Sequence, residues 1–246
     1  MPLSETLPIA LLFFAMAAMY ASVGHAGASG YLAVMGLFGF APAVMRPTAL
    51  ALNILVALVA TVRFQGAGSF SWRLFWPFAV VSIPAAFAGG AMVLPTRGYR
   101  ILVGAVLLYA ASWMFQSARK QADQSPRTPS LRAALPVGLV IGFLSGLTGV
   151  GGGIFLSPIL IYMAWADTRM TSGVAAAFIL VNSIAALLGN VGGIAEIPES
   201  IWLWAAAVLA GGWIGASYGS THAPTSVLRR LLSLVLVIAG VKLILF

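Results

Sequence analysis

The sequence predicts an all-α polytopic membrane protein built from two inverted repeats. Of its 246 residues, 61% are hydrophobic and only 7% are charged, against roughly 45–50% and 25% in ordinary soluble domains. The hydrophobic residues form long segments separated by short polar loops, which is the pattern of membrane-spanning helices. This composition excludes a soluble globular domain. Because the chain has no cysteine, it also excludes a disulfide scaffold and a thiolate metal site.

Eight apolar segments follow one another along the chain, and a polar stretch from Gln116 to Arg132 separates the fourth from the fifth. The segments cover residues 7–41, 47–64, 74–94, 99–118, 133–166, 171–195, 201–219 and 226–246. We therefore expect a first transmembrane repeat over 1–117, a linker over 118–132 and a second transmembrane repeat over 133–246.

The first segment of each half is too long for one membrane crossing. Residues 7–41 and 133–166 would each measure roughly 50 Å as a continuous helix, whereas the hydrocarbon core is about 30 Å thick. Glycine-rich runs interrupt them at 24–30 and 146–153, and glycine disfavours a continuous helix. We expect each segment to form two short helices arranged as a V, followed by three transmembrane helices.

The distribution of basic residues indicates whether each V returns to the side of the membrane from which it entered. If it does, nine of the 13 Lys and Arg residues lie on one side and four on the other. If each broken segment crosses once, the split is seven to six. The positive-inside rule therefore favours the returning V, or two complete short crossings, which give the same count. The linker is then cytoplasmic, both termini lie outside, and the halves are inverted.

The halves also resemble each other in sequence. At an offset of 129 residues, Pro95-Thr96 matches Pro224-Thr225 and Arg100 matches Arg229. The glycine breaks align at an offset of about 123, which implies a short insertion before Ser200.

Broken helices at corresponding positions of two inverted halves indicate the binding site of a secondary transporter. The second arm of each V begins with unpaired backbone N–H groups and the positive end of a helix dipole, and glycine lets a ligand approach them. Such a site suits a small anion. The alternative is that small residues simply allow close helix packing. We assign to the site the break residues Gly27, Ala28, Ser29, Gly30, Gly149, Gly151, Gly152 and Gly153.

His25 is the only ionisable side chain deep within an apolar segment. A protonated imidazole would add charge to the site or couple flux to protons, whereas a neutral one would join helices. Hydroxyl and amide groups after the breaks would surround an oxyanion or bond between helices, namely Thr48, Asn53, Thr171, Ser172 and Asn182. Arg46 and Arg169 precede those spans, and we interpret them as interface markers, with steering of anions into a vestibule as the alternative.

The five acidic residues all lie at segment ends or in loops, which disfavours a cation transporter. No nucleotide, redox or hydrolase motif occurs, and Ser145 and Ser157 beside the second break have no base in sequence reach. We expect no enzyme activity, no cofactor, no metal and no nucleic-acid partner. Three glycines would line a homodimer contact or pack internally, and both interpretations stay open; they are Gly211, Gly212 and Gly215.

The stretch from Gly146 to Pro158 reads GLTGVGGGIFLSP and is followed by Thr171-Ser172. It resembles the signature of the sulfite exporter TauE/SafE family of bacterial membrane permeases, and the likeness covers the whole chain. The resemblance implies export or uptake of small sulfur-containing anions, among them sulfite and organosulfonates. The first half departs from the family pattern of a second glycine-rich run followed by proline, because residues 27–30 read GASG and Met35 follows.

The break pattern and the resemblance together predict a secondary transporter of a small anion, sulfite or an organosulfonate, in the bacterial inner membrane. It would work by alternating access between the repeats, with the lipid bilayer and a coupled proton as further partners. A passive anion channel would use the same site without a conformational cycle. A non-transporting membrane scaffold, which docks an enzyme on the linker, is the remaining alternative.

Overall fold

The computed structural model describes residues 3–117, 129–222 and 226–245, and these residues form an all-helical fold. Each half consists of a long helix, a ten-residue helix and three further long helices. The first half contains α1 (Leu3–Ala21), α2 (Ala28–Leu37), α3 (Pro42–Gly66), α4 (Trp72–Ala91) and α5 (Thr96–Ser117). The second contains α6 (Leu131–Thr148), α7 (Gly153–Tyr162), α8 (Thr168–Gly189), α9 (Ile201–Thr221) and α10 (Ser226–Leu245).

Within the described ranges, five helices are long and apolar enough to cross a membrane, namely α3, α4, α6, α8 and α9. The prediction of an all-α polytopic membrane protein is therefore confirmed. Most of the predicted cytoplasmic linker, residues 118–128, lies outside the described residues. The side of the membrane on which each loop lies stays a prediction.

Both overlong segments are interrupted at the glycine runs. The first is broken between Ala21 and Ala28, and the second between Thr148 and Gly153. The arms differ from the predicted pairs of short helices because they are unequal: α1 and α6 have 19 and 18 residues, whereas α2 and α7 have 10 each. At 1.5 Å per residue the second arm measures about 15 Å, roughly half the hydrocarbon core.

Helices of one half pack mainly on helices of the other. The central helices α3 and α8 contact each other. Around them α4 packs on α6 and α8, α9 packs on α1 and α3, and α5 packs on α10. These main pairings are unchanged when corresponding helices of the two halves are exchanged. The halves therefore share one interior, in which the two breaks come close together.

Glycines bring the paired backbones into contact. Both α6 and α9 carry three glycines spaced four residues apart, and a Cβ atom added to any of them would collide with a backbone carbonyl oxygen of the facing segment. On α6 these glycines are Gly138, Gly142 and Gly146, which face Phe78, Ser82 and Ala86; on α9 they are Gly211, Gly215 and Gly219, which face Phe14, Ala18 and Ser22. Gly212 packs against Val56 of α3. The three glycines considered for a dimer contact thus pack inside the chain.

One connection differs between the halves. Residues 67–71 join α3 to α4, whereas residues 190–200 join α8 to α9, so the second loop is six residues longer. It contains a 3-10 helix over Val191–Glu196. The extra residues lie just before Ser200, where the shift in the repeat offset places an insertion.

Candidate functional site

A glycine with a left-handed backbone angle begins each short helix. Gly27 has a φ of 95° before α2, and Gly152 has a φ of 85° before α7. Residues other than glycine rarely adopt these backbone angles. All residues of 22–30 and 145–154 are buried. The first N–H groups of α2 and α7 therefore face the protein interior.

Asn53 of α3 lies between the two breaks and is fully buried. Its Oδ1 accepts a hydrogen bond from the Ala28 N–H at 3.1 Å, at the start of α2. Its Nδ2 lies 3.4 Å from the carbonyl oxygen of Val150, in the second break, and donates to the Ser183 hydroxyl of α8 at 3.1 Å. One amide thus connects both breaks and both halves.

His25 connects the first break to α7. Its Nε2 lies 3.2 Å from the Ser157 hydroxyl, and its Nδ1 lies 3.2 Å from the carbonyl oxygen of Val23. Because a carbonyl oxygen only accepts, the Nδ1 of a neutral His25 carries the proton, and Nε2 accepts from Ser157. The side chain is 9% exposed, so it lies almost entirely inside the protein.

Ser172 of α8 also contacts the first break. Its hydroxyl lies 3.0 Å from the carbonyl oxygen of Val23 and 3.0 Å from that of Thr168, so the two acceptors share its proton. A Cβ atom at Gly24, whose φ is 77°, would collide with the Ser172 backbone. Glycine at this position is what allows α8 to approach the break.

Three other predicted site residues carry buried polar atoms that have no hydrogen-bond partner in the described part of the chain. These atoms are Thr48 Oγ1, Thr171 Oγ1 and Asn182 Oδ1. The Nδ2 of Asn182 donates to the Phe178 carbonyl within its own helix at 2.9 Å. None of the three side chains bonds to a break. Buried polar groups normally have partners, so these three atoms are exceptions in the described part of the fold.

Several polar contacts at the breaks come from residues that the sequence analysis did not assign to the site. Besides Ser157 and Ser183, the hydroxyl of Tyr31 donates to the Ala26 carbonyl at 2.8 Å. The hydroxyl of Tyr99 donates to the Thr148 carbonyl at 3.0 Å. Ser157 belongs to the GLTGVGGGIFLSP stretch and so had a sequence signal. Tyr99 lies in α5, far from both breaks in sequence, and had none.

Arg46 is buried inside the protein and does not extend from its surface, as an interface marker would. It is 6% exposed. Its guanidinium donates to the Met92 carbonyl at 2.8 Å and also to the Gly90 carbonyl, at the end of α4. A cation at a helix C-terminus complements the helix dipole. Arg169, by contrast, is exposed and donates to the Thr221 carbonyl at 3.2 Å.

Comparison with known proteins places the chain among membrane transporters. Residues 9–243 match the family described as "Sulfite exporter TauE/SafE". The chain is 43% identical over 244 residues to the "Probable membrane transporter protein y4hK" of Sinorhizobium fredii (strain NBRC 101917 / NGR234), covering 98% of this chain and 99% of that protein. It is 26% identical over 125 residues to the "Probable membrane transporter protein YunE" of Bacillus subtilis (strain 168), covering 48% and 44%. No solved structure matches.

The family match runs over nearly the whole chain, including both breaks and all ten helices in part or in full. The five apolar helices of membrane-spanning length agree with the names of both relatives. The chain therefore belongs to the sulfite exporter TauE/SafE family and is a multi-pass membrane transporter.

Proposed function

We propose that this protein is a secondary transporter of a small anion, sulfite or an organosulfonate, in the bacterial inner membrane. The anion is held at the two glycine breaks. The observation that carries this proposal is the meeting of both breaks at Asn53, in the shared interior of the two halves. A central site made by both halves is what alternating access requires.

The chemistry of the breaks suits an anion. Backbone N–H groups at the start of a helix and hydroxyl groups are hydrogen-bond donors, and they replace the water around an oxyanion. The unpaired hydroxyls of Thr48 and Thr171 add two donors to this set. The acidic residues Asp167, Glu196 and Glu199 lie at a helix cap or in the loop after α8, and none of them belongs to a break.

Alternating access requires contacts between the halves that can break and form again. Among the described residues, two hydrogen bonds between side chains cross between the halves at the site, Asn53 to Ser183 and His25 to Ser157. Asn53, Tyr99 and Ser172 also bond to backbone carbonyls of the opposite half there. Each of these two side-chain bonds joins two polar groups that lie within an apolar interior. A change in the angle between the halves would release the breaks to one side of the membrane and then to the other.

His25 is the proposed link between anion and proton movement. In its neutral form, Nε2 accepts from Ser157. Protonation turns both ring nitrogens into donors and adds a positive charge beside the first break. The protonated form therefore favours a bound anion and the neutral form favours its release.

The test is uptake of labelled sulfite into liposomes that contain the purified protein, with and without a pH gradient. Organosulfonates, sulfate and carboxylates serve as competitors. Saturable uptake that a gradient drives and a competitor reduces is the expected result. Absence of flux for every anion, from protein shown to be folded, would contradict the proposal and favour a scaffold that docks an enzyme.

A counterflow experiment distinguishes a passive anion channel from a transporter. Liposomes loaded with unlabelled anion should accumulate labelled anion transiently above its equilibrium level if the protein alternates between two sides. A channel equilibrates the label without such an overshoot. Transient accumulation therefore supports alternating access, and its absence during measurable flux would overturn it.

A further inference from the structure

Ser145 has a buried hydroxyl that the fold does not use. The residue lies in the last turn of α6 and is 0% exposed, and among the described residues no group bonds to its Oγ. A serine or threonine in a helix commonly donates to the carbonyl four residues earlier, as Thr148 does to Leu144 at 2.7 Å. A buried polar group without a partner destabilises a fold, so its presence calls for an explanation.

The position of Ser145 connects it with the second break. Its Cβ lies 3.3 Å from the point where a Cβ on Gly152 would stand. Gly152 begins α7, a helix of ten residues. Within the described structure, the backbone N–H groups of Gly152, Gly153 and Ile154 have no hydrogen-bond acceptor. The unused hydroxyl thus stands beside a group of unused donors.

The first break differs at the corresponding place. The N–H of Ala28, the first residue of α2, donates to Asn53 Oδ1 at 3.1 Å. Its counterpart in the second half is Gly153, the first residue of α7, whose N–H is unpaired. The amide oxygen of Asn53 thus takes the place that an anion oxygen would take at the first break. No described side chain takes that place at the first residue of α7, which is where the two breaks differ, since the N–H groups of Ser29 and Gly30 in the first break also lack an acceptor among the described residues.

We propose that the second break is the half of the site that holds the anion in this conformation, and that Ser145 contacts the substrate there. This inference rests on the proposed function. The ligand is an oxyanion, one oxygen of which accepts from the start of α7 while another accepts from the Ser145 hydroxyl. Phe178 and Ile141 lie beside Ser145 around the same face of Gly152, so apolar side chains flank the proposed contact.

Absence of cysteine from the chain allows a direct test. In Ser145→Cys the new thiol is the only one present, and it can be modified with methanethiosulfonate reagents of similar size and opposite charge. Each rate is divided by the rate of the same reagent with a free thiol in solution, because the two reagents differ in intrinsic reactivity. We expect this relative rate to be several-fold higher for the anionic ethylsulfonate reagent than for the cationic trimethylammonium reagent. Ethanesulfonate, which does not react with thiols, should slow the reaction. Equal relative rates for the two reagents, or no protection, would overturn the inference.

The control for labelling is Ser112→Cys, because Ser112 is an exposed residue of α5. Ethanesulfonate should leave its modification rate unchanged, which shows that protection at Ser145 is local. If Ser145→Cys does not fold, transport by Ser145→Ala and Ser145→Thr replaces the labelling experiment. Loss of one hydrogen bond to a charged ligand should raise the KM of Ser145→Ala about tenfold, whereas Ser145→Thr should stay close to the wild type.

Ser82→Ala is the matched transport control. Ser82 is as buried as Ser145, but its hydroxyl lies 3.4 Å from the Ala79 carbonyl of its own helix, so its KM should be unchanged. A wild-type KM for Ser145→Ala would contradict the inference and leave the transporter proposal intact. Protection of Ser145→Cys by ethanesulfonate in a protein that transports no anion would support the site and refute the transporter proposal.

Discussion

The imidazole Nε2 of His25 lies 3.2 Å from the hydroxyl of Ser157, although the two residues are 132 positions apart in the chain. One belongs to the first break and the other to the short helix that follows the second. The contact therefore reports directly on the relative position of the two halves. It is also the contact at the site whose direction of donation changes when a proton binds.

Replacing His25 with Gln should flatten the pH dependence of anion flux. Glutamine retains a hydrogen-bonding side chain of similar length but does not titrate. The measurement is the initial rate of uptake into liposomes between about pH 5 and 8, where an ordinary histidine changes charge. Ser157→Ala serves as the control, because it removes the contact and keeps the titrating group. An unchanged pH profile in His25→Gln would show that His25 is structural.

Replacing Gly152 with Val should abolish flux while the protein still inserts into the membrane. The new side chain would stand 2.9 Å from the Phe178 ring and 3.1 Å from Ile141, and it would keep a ligand from the start of α7. The φ of 85° adds backbone strain, on the order of 1–2 kcal/mol. Flux and the amount of folded protein are measured on the same preparation.

Gly39→Ala is the matched control for that strain. Its φ is 77°, yet a Cβ there has open space around it. The Gly39→Ala substitution should lower the free energy of unfolding by about the same backbone strain and leave the substrate KM unchanged. Normal flux through Gly152→Val would remove the second break from the proposed site.

Replacing Asn53 with Ala should destabilise the protein. The change leaves the Ala28 N–H and the Ser183 hydroxyl without their partner in a fully buried place. Unpaired buried groups reduce stability by about 1–3 kcal/mol, which corresponds to a Tm lower by about 5 °C for a chain of this size. Thermal unfolding in detergent measures this shift. Asn190→Ala, at a half-buried position, should unfold close to the wild-type temperature, and equal Tm values for the two variants would contradict the role of Asn53.

Replacing Arg46 with Gln should also lower the Tm, and by more than Arg169→Gln. Arg46 is buried and donates to two carbonyls at the end of α4, whereas Arg169 is exposed and donates to one. Hydrogen bonds from a charged group contribute roughly 1.5–3 kcal/mol when buried, and exposed ones contribute less. Thermal unfolding of the two variants checks the order, and a larger effect at Arg169 would refute it.

Replacing Gly215 with Val should prevent folding rather than split an oligomer. A Cβ at this position would collide with the Ala18 carbonyl of α1. Gly192→Val is the control, since nothing lies close to that glycine. Gel filtration of the detergent-solubilised variants distinguishes the outcomes. If the wild type is oligomeric and the Gly215→Val variant is folded but monomeric, the glycine lies at a contact between chains instead.

The helix breaks could be predicted because glycine acts locally. The runs at 24–30 and 146–153 contain glycines with positive φ and coincide with the two interruptions, whereas Gly211 and Gly212 lie inside α9 without interrupting it. The partners of the helices could not be predicted in this way, since Gly142 and Gly215 indicate a close approach without showing which helix approaches. The same limit applies to Asn53, whose bonds to Val150 and Ser183 span about half the chain.

Burial of Arg46 was also beyond prediction from sequence. An arginine near the start of a span ordinarily reaches the interface with its long side chain. Here the end of α4 offers two carbonyl acceptors inside the protein, and only the tertiary arrangement brings them within reach. The opposite holds for three predicted site atoms, Thr48 Oγ1, Thr171 Oγ1 and Asn182 Oδ1, which are buried without a hydrogen-bond partner among the residues that the structure describes. Their assignment to the site stays a prediction.

The pairing of α1 with α9 has a consequence for biosynthesis. α1 leaves the ribosome long before α9, yet α9, which covers its backbone, begins only at Ile201. Until then the surface of α1 that later meets Gly211, Gly215 and Gly219 is open to lipid or to insertion factors. Because such long-range contacts form late, the chain cannot complete its fold one half at a time. A nascent chain stalled before α9 should therefore remain dependent on the membrane insertion machinery.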